Sequence, residues 1–217
     1  GARMEQARPW IPYCGAAPGP DAWLGRWNTD PVLALLLLAA ALLLWWPAAR
    51  QAGMSHRRPG ALRLAWGSVV LLYVSPLCAL GAVFFTARVV HHLALVFVLA
   101  PLLVVGLGPW LRRLQLPAPS CTALAAIVFW LWHAPGAYAA AMSSTAVYWL
   151  MQCSLLASAT MFWAAARRAS PPAGLAAILV SMVSMGLLGA LITFAARPLY
   201  APHFASTAGW GVAPLDD

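Results

Sequence analysis

Lysine is absent from the sequence, and carboxylate side chains are nearly absent. The 217 residues include 13 basic residues, all of them arginine, and five acidic residues, which gives a formal net charge of +8. The acids are Glu5, Asp21, Asp30, Asp216 and Asp217. Residues 31–215 therefore contain no carboxylate side chain. This absence excludes from that region an enzyme that uses paired carboxylates, and a proton relay through buried acids.

Charged residues make up only 8% of the chain, whereas hydrophobic residues make up 63%. The mean hydropathy of +0.78 rules out an ordinary soluble globular protein. The arginines occur singly or in pairs beside apolar runs, a pattern that disfavours a nucleic-acid partner. The composition predicts an integral membrane protein whose main surroundings are the lipid bilayer.

Six apolar stretches are long enough to cross a bilayer, since its hydrocarbon core needs about 20 residues of helix. They cover residues 31–48, 63–85, 89–107, 120–140, 146–166 and 173–196. The predicted fold class is all-α, a polytopic transmembrane helix bundle with six spans. We expect the bundle to occupy residues 31–197, between an extracytoplasmic N-terminal arm (1–30) and an extracytoplasmic tail or loop (198–217).

The distribution of arginine predicts the orientation of the bundle. The connections that follow the first, third and fifth spans hold eight arginines, and the segments on the other side hold five. Short arginine-rich connections stay in the cytoplasm, so the N-terminus is predicted to lie outside. The four cysteines (14, 78, 121 and 153) are scattered, which does not indicate a disulfide framework, and Cys14 is expected to be exposed on the arm.

Several nitrogen-bearing side chains interrupt the spans, and each is a candidate functional residue because polar groups in hydrocarbon are costly. On the third span, Arg88 and His92 are four residues apart and share a helix face, with His91 beside them. On the fourth span, His133 comes just before Pro135, which frees a backbone carbonyl.

Sulfur-bearing residues on the last two spans are predicted to meet these histidines in the outer half of the membrane. Imidazole, thiolate and thioether groups together favour a soft metal ion, with Cu(I) the leading candidate and zinc less favoured. A region without carboxylates does not suit calcium or magnesium. The predicted metal ligands are His92, His133, Cys153 and Met185, with His91 and Met182 as further candidates.

Each of these residues also has an ordinary structural role. A methionine in an apolar span usually fills packing space, and a buried cysteine behaves as a small hydrophobic residue. The two adjacent histidines fit an interfacial position, and the sequence does not decide which of them points inward. Arg88 fits either an interface anchor or a partner for an anion such as a haem propionate or a lipid phosphate.

The order of these segments resembles that of the CtaG-like membrane proteins of cytochrome c oxidase assembly, from Trp27 to the end of the chain. The stretch FFTARVVHHLALVFVLAPLLVVGLGPWLRRL is similar to the family's His-rich helix, and SMGLLGALITFAARPLY is similar to a late helix. The segment FWLWHAPGAYAAAM is similar to its Trp-His-x-Pro-x-x-Tyr motif. The matching residues are Trp132, His133, Pro135 and Tyr138.

The sequence departs from this family pattern in three places. Arg88 stands where the family usually has a histidine, and Trp149 with Cys153 stands where it tends to have a histidine pair. Family members generally continue past the position of Asp217 into another span. The resemblance therefore implies a seventh span that this chain either lacks or does not include.

The resemblance implies a function in the maturation of a haem-copper oxidase at the bacterial inner membrane, through copper supply rather than catalysis. It implies haem-copper oxidase subunits as partners, with a periplasmic copper chaperone as a further one. Arg88 and Tyr138 become candidate cofactor-binding residues, with haem as an alternative to copper. Cys14 and His203 are candidate entry or hand-off ligands because both lie on predicted outer segments. The alternatives are a permanently bound accessory subunit of a terminal oxidase and a stand-alone copper carrier or transporter.

Overall fold

The structure, a computed structural model, describes residues 10–46 and 58–217. All regular elements in these ranges are helices, in agreement with the predicted all-α class. The helices are α1 (Pro31–Trp45), α2 (Pro59–Val74), α3 (Leu77–Val83), α4 (Phe85–Gly106), α5 (Gly108–Arg112), α6 (Ala118–His133), α7 (Pro135–Ser143), α8 (Thr145–Arg168) and α9 (Pro171–Thr193). Short 3-10 turns lie at Trp23–Gly25, Ala201–His203 and Ala208–Trp210.

Proline and capping side chains mark where the helices begin. Proline occupies the first position of α1, α2, α7 and α9, where its fixed φ suits a helix and its missing N–H has no intrahelical partner to lose. The carboxylate of Asp30 accepts a hydrogen bond from the backbone N–H of Val32 at 3.0 Å and so caps α1. The hydroxyl of Ser144 accepts one from the N–H of Val147 at 3.4 Å and caps α8.

Two of the predicted spans are broken helices. The predicted span 63–85 consists of α2 and α3, which are bent by 43°. The predicted span 120–140 consists of α6 and α7, which are bent by 72°. A proline accompanies each break: Pro76 lies between α2 and α3, and Pro135 is the first residue of α7. Neither proline can donate the hydrogen bond that would continue the earlier helix.

A third proline is accommodated inside α4 without a break. Residues Leu95–Leu99 form a wider π turn, in which the N–H of Ala100 bonds to the carbonyl of Leu95. The wider turn leaves room for Pro101, whose ring would otherwise press on the preceding turn. Helix α4 therefore continues over 22 residues as one apolar segment.

The six-span count is not confirmed. Three helices in the described ranges, α4, α8 and α9, are long and apolar enough to cross a membrane, and the count reaches five if each bent pair forms one span. Helix α1 has only 15 residues, about 22 Å at 1.5 Å per residue, which is short for a hydrocarbon core of about 30 Å. The chain is a membrane protein in which long apolar helices, bent helix pairs and the short helix α1 occur together.

Helix α8 lies at the centre of the bundle and contacts α4, α6, α7 and α9. Its inward face is fully buried at Tyr148, Met151 and Leu155. Helix α9 is different, because only 11% of its most apolar window is buried inside the protein. Leucine and valine side chains cover its outer face, as expected for a helix that faces lipid.

The N-terminal arm is fastened to the bundle. Cys14 forms a disulfide with Cys78 of α3, so the expectation of an exposed Cys14 without a disulfide is wrong. The Tyr13 ring stacks on Tyr148 at 5.2 Å, and the side-chain amide of Asn28 donates to the carbonyl of Tyr73 at 3.0 Å. These contacts hold the arm against the ends of α2, α3 and α8.

Gly174 allows α8 and α9 to approach closely, because a Cβ atom there would lie 2.7 Å from the carbonyl oxygen of Ala166. The contact involves backbone, so the Gly174→Ala variant must move one helix. We expect this variant to lose about 1–3 kcal/mol of unfolding free energy, measured as a lower denaturation midpoint in detergent. The Gly186→Ala variant is the matched control, since nothing lies within 4 Å of that position. Equal midpoints for the two variants would contradict the close packing.

Candidate functional site

Two histidines from different helices contact each other inside the bundle. His92 lies in the first half of α4, and His133 is the last residue of α6, just before the 72° bend. Nδ1 of His92 lies 3.2 Å from Nε2 of His133, and the two rings are perpendicular with centroids 5.1 Å apart. Both side chains are buried, with exposed fractions of 0% and 2%. The structure thus brings together two of the predicted ligands.

The hydrogen bonds of this pair define where the ring protons lie. Nδ1 of His133 is 2.6 Å from the carbonyl oxygen of Phe129, and because a carbonyl only accepts, this nitrogen carries the proton. In the neutral ring Nε2 of His133 is then an acceptor, so Nδ1 of His92 donates to it. Nε2 of His92 is left with a lone pair, and it is buried and has no hydrogen-bond partner among the described residues.

The bend after α6 fixes the position of His133. The chain becomes extended at Ala134, so the following turn does not use the His133 carbonyl. The hydroxyl of Tyr200 donates to that carbonyl at 2.6 Å. The His133 ring also stacks on Phe129, with centroids 4.3 Å apart. The expectation that Pro135 accompanies a freed carbonyl agrees with this arrangement.

The neighbouring His91 faces a different helix. Its Nε2 donates to the carbonyl oxygen of Leu72 in α2 at 3.0 Å, and its ring is perpendicular to that of Tyr73, with centroids 4.9 Å apart. His91 is buried, like His92, but it does not contact His133. Of the two adjacent histidines, His92 is the one that belongs to the pair.

Arg88 is fully buried, so the expectation of an interface anchor is wrong. Its Nη1 donates to the hydroxyl of Tyr148 at 3.2 Å, and its guanidinium carbon lies 5.2 Å from the centre of that ring. Its Nε and Nη2 atoms have no hydrogen-bond partner in the described part of the chain. The positive charge lies one helical turn from His92 and acts on it electrostatically.

Tyr138, a predicted cofactor-binding residue, is buried and interacts with the tail. Its hydroxyl lies 2.5 Å from Nε2 of His203, and Nδ1 of His203 donates to the carbonyl of Val83 at 2.9 Å. Both ring nitrogens of His203 therefore already have partners. A role for Tyr138 in binding a cofactor, or for His203 as an entry ligand, stays a prediction.

The sulfur side chains do not join the histidine pair. Cys153 is exposed on α8, because the preceding Gln152 faces inward and adjacent helical residues point about 100° apart. Met182 is 57% exposed on the lipid-facing side of α9, and Met185 is half-buried against the core. Within residues 10–46 and 58–217, no three His, Cys, Asp or Glu side chains are close enough to hold one metal ion. The predicted pocket of four ligands from four helices is therefore not formed.

Three polar residues near the pair were not identified from the sequence. Tyr148 binds Arg88, Tyr200 binds the His133 carbonyl, and the carboxylate of Asp217 accepts hydrogen bonds from the backbone N–H groups of Phe85 and Thr86 at 2.6 and 3.1 Å. The only signal for Asp217 was its position: an acid at the edge of an acid-free region suits the positive N-terminal end of a helix.

The tail contact is expected to weaken in acid. Burial lowers the pKa of His203 to about 4, whereas an unfolded histidine titrates near about 6.5. The unfolded state binds more protons between these values, so stability is complete above about pH 6.5 and falls as the pH drops towards 4, by roughly 2 kcal/mol at pH 5. Hydrogen exchange in residues 198–217 should therefore rise at pH 5 after correction for intrinsic rates. The His203→Gln variant should lack this pH dependence; an equal response in both proteins would contradict it.

Nδ1 of His92 and Nε2 of His133 lie 3.2 Å apart, the distance of a hydrogen bond, so an ion held between them would have to replace that hydrogen bond. Haem would need a flat porphyrin between the rings, and the rings contact each other directly. The pair alone supplies two ligands.

Comparison with known proteins adds one finding. The family model described as cytochrome c oxidase caa3 assembly factor (Caa3_CtaG) matches residues 44–217, which include both histidines of the pair. No curated protein and no solved structure matches the chain.

Proposed function

Because the chain belongs to the cytochrome c oxidase caa3 assembly factor family, we propose that it handles copper during oxidase assembly, with His92 and His133 as the intramembrane binding site. The site carries Cu(I) as cargo and passes it to an oxidase metal centre. The chain is not an enzyme in this proposal. Its partners are haem-copper oxidase subunits in a bacterial inner membrane, with a periplasmic copper chaperone as donor.

The observation that supports this proposal is the buried pair itself, in which Nδ1 of His92 and Nε2 of His133 lie 3.2 Å apart. Nε2 of His92 has no partner among the described residues, so its lone pair is free to take the proton that an ion displaces from Nδ1. The hydrogen bond from His133 to the Phe129 carbonyl fixes one tautomer of the pair. Such outer hydrogen bonds orient histidine ligands in metal sites.

Copper binding can be written as an exchange with a balanced proton. Cu(I) takes the place of the hydrogen between Nδ1 of His92 and Nε2 of His133, and each nitrogen gives a lone pair to the ion. The proton of His92 leaves Nδ1 and is bound at Nε2. The number of unpartnered ring nitrogens on His92 stays at one, and the site gains a single positive charge.

A site with two neutral ligands and a cationic neighbour is suited to releasing its ion. Among residues 10–46 and 58–217 neither a thiolate nor a carboxylate lies beside the pair, and the charge of Arg88 repels a bound cation. A partner that offers more or softer ligands then takes the copper. The proposed orientation, with the N-terminus outside, places the pair on the periplasmic half of the membrane, where the tail also lies.

Cells that lack the chain test this function. We expect their cytochrome c oxidase to contain haem but less copper, and added copper salts to restore the copper content in part. A gene encoding His133→Ala should not restore it, whereas the His91→Gln variant should, because His91 has its own bond to the Leu72 carbonyl. Full copper content without the chain would overturn the proposal, and stoichiometric co-purification with a fully loaded oxidase would favour an accessory subunit.

A further inference from the structure

Four arginines surround one cavity at the end of the bundle opposite to Asp217. The cavity has a volume of about 380 Å³ and is lined by Arg58, Arg112, Arg167 and Arg168 together with apolar residues of α4 and α5. Arg58 comes just before α2, Arg112 ends α5, and the other two end α8. We call this cavity the arginine pocket.

No carboxylate of the described residues neutralises the arginine pocket. The carboxylates in the described residues are Asp21, Asp30, Asp216 and Asp217. Asp30 caps the start of α1 beside the far end of α2, and Asp217 caps the start of α4, whereas the pocket lies at the start of α2 and the end of α4. The four arginines are exposed, and no ion pair partners them in the part of the chain that the structure describes.

The floor of the arginine pocket is apolar. Val104, Val105, Leu111 and Ala164 line it, and Gly108 and Pro109 complete the wall. Its volume lies within the range of about 300–1,000 Å³ that is usual for ligand sites. A ligand that matches both parts has a negatively charged oxygen-rich group at one end and hydrocarbon at the other.

We propose that the arginine pocket binds the phosphodiester headgroup of an anionic phospholipid. Arginine forms bidentate hydrogen bonds with phosphate oxygens, and basic pockets between helices at a membrane surface bind lipid headgroups. The acyl chains lie along the apolar floor and continue into the bilayer. A helix C-terminus carries partial negative charge and favours a nearby arginine, which would explain one or two arginines at the end of each helix. It does not explain why arginines from three separate elements line one cavity.

Lipid binding to the purified full chain in detergent tests this site. The probes are phosphatidylglycerol and phosphatidylcholine in mixed micelles, and native mass spectrometry measures the fraction of protein with bound lipid. We expect phosphatidylglycerol to bind at least tenfold more tightly than the zwitterionic lipid. Millimolar inorganic phosphate should not displace it, because free phosphate cannot use the apolar floor.

The matched variants separate a site from general surface charge. The double variant Arg112→Gln, Arg167→Gln should bind phosphatidylglycerol about 25-fold more weakly, about fivefold for each arginine removed. Arg113→Gln removes one charge next to the pocket but does not line it, so it should weaken binding less than about twofold, against about fivefold for the single variant Arg167→Gln. If the double variant does not fold, the single Arg167→Gln variant gives the same comparison. An equal loss in Arg113→Gln, or displacement by inorganic phosphate, would overturn the lipid site.

Discussion

Replacing His92 and His133 together with alanine is expected to weaken Cu(I) binding by more than about 100-fold, since loss of an outer hydrogen-bond partner alone costs about 10–100-fold in metal affinity. The double variant removes both imidazole nitrogens that lie 3.2 Å apart in the folded chain. Titration against a Cu(I) chelator of known affinity, under reducing conditions, measures the effect.

The control is the His91→Gln variant, in which a buried histidine adjacent to the pair is replaced. Its ring contacts Leu72 and Tyr73 rather than His133, so the affinity should stay within about threefold of the original protein, the normal spread of such comparisons. Helix content and elution volume show whether each variant keeps its fold. Unchanged copper stoichiometry in the double variant would show that His92 and His133 are not the copper ligands.

Replacing Arg88 with glutamine is expected to tighten Cu(I) binding by about 10- to 100-fold. Side chains one helical turn apart lie about 5–6 Å from each other, and a unit charge at about 6 Å contributes about 3 kcal/mol of repulsion at an effective dielectric of 20, where each 1.4 kcal/mol is a factor of ten. Arg88 is buried and its nearest hydrogen-bond partner is the neutral hydroxyl of Tyr148, so little screens its charge. Glutamine keeps a donor for Tyr148 but removes the charge.

Arg88→Lys is the matched control for this prediction, because it keeps the charge and alters the shape. Its Cu(I) affinity should remain near that of the original protein. The same variants separate affinity from delivery: tighter binding in Arg88→Gln should come with slower transfer of copper to a competing chelator. Equal affinities for the glutamine and lysine variants would show that the charge of Arg88 does not act on the ion.

Hydropathy predicted the helical class and the longest helices, since α8 and α9 lie close to the predicted spans 146–166 and 173–196. It did not predict the bends in the spans 63–85 and 120–140, because a proline is tolerated in some spans and breaks others. Pro101 sits in a π turn of a continuous helix, whereas Pro135 begins a new helix at 72°. Whether a proline breaks the helix depends on which neighbouring groups form hydrogen bonds with the backbone carbonyls that the proline leaves free.

The sequence was sufficient to predict that the two histidines face inward, but not to predict the orientation of the cysteine and methionine side chains. Imidazole is polar enough that His92 and His133 are expected to face inward in a span. Cysteine and methionine are apolar enough to face lipid, so hydropathy does not determine the rotation of α8 or α9 about its axis. Cys153 and Met182 are exposed. The Cys14–Cys78 disulfide joins residues 64 positions apart, a pairing that spacing alone does not predict.

X-ray absorption at the copper edge of the Cu(I)-loaded chain shows whether copper binds to two imidazole nitrogens without sulfur. We expect nitrogen scatterers at about 2.0 Å and no sulfur shell near about 2.3 Å, distances that separate these ligand types in first-row metal sites. Replacing both His92 and His133 with alanine should remove the imidazole pattern. A sulfur shell at the longer distance would contradict the histidine pair and return Cys153 or Met185 to the ligand set.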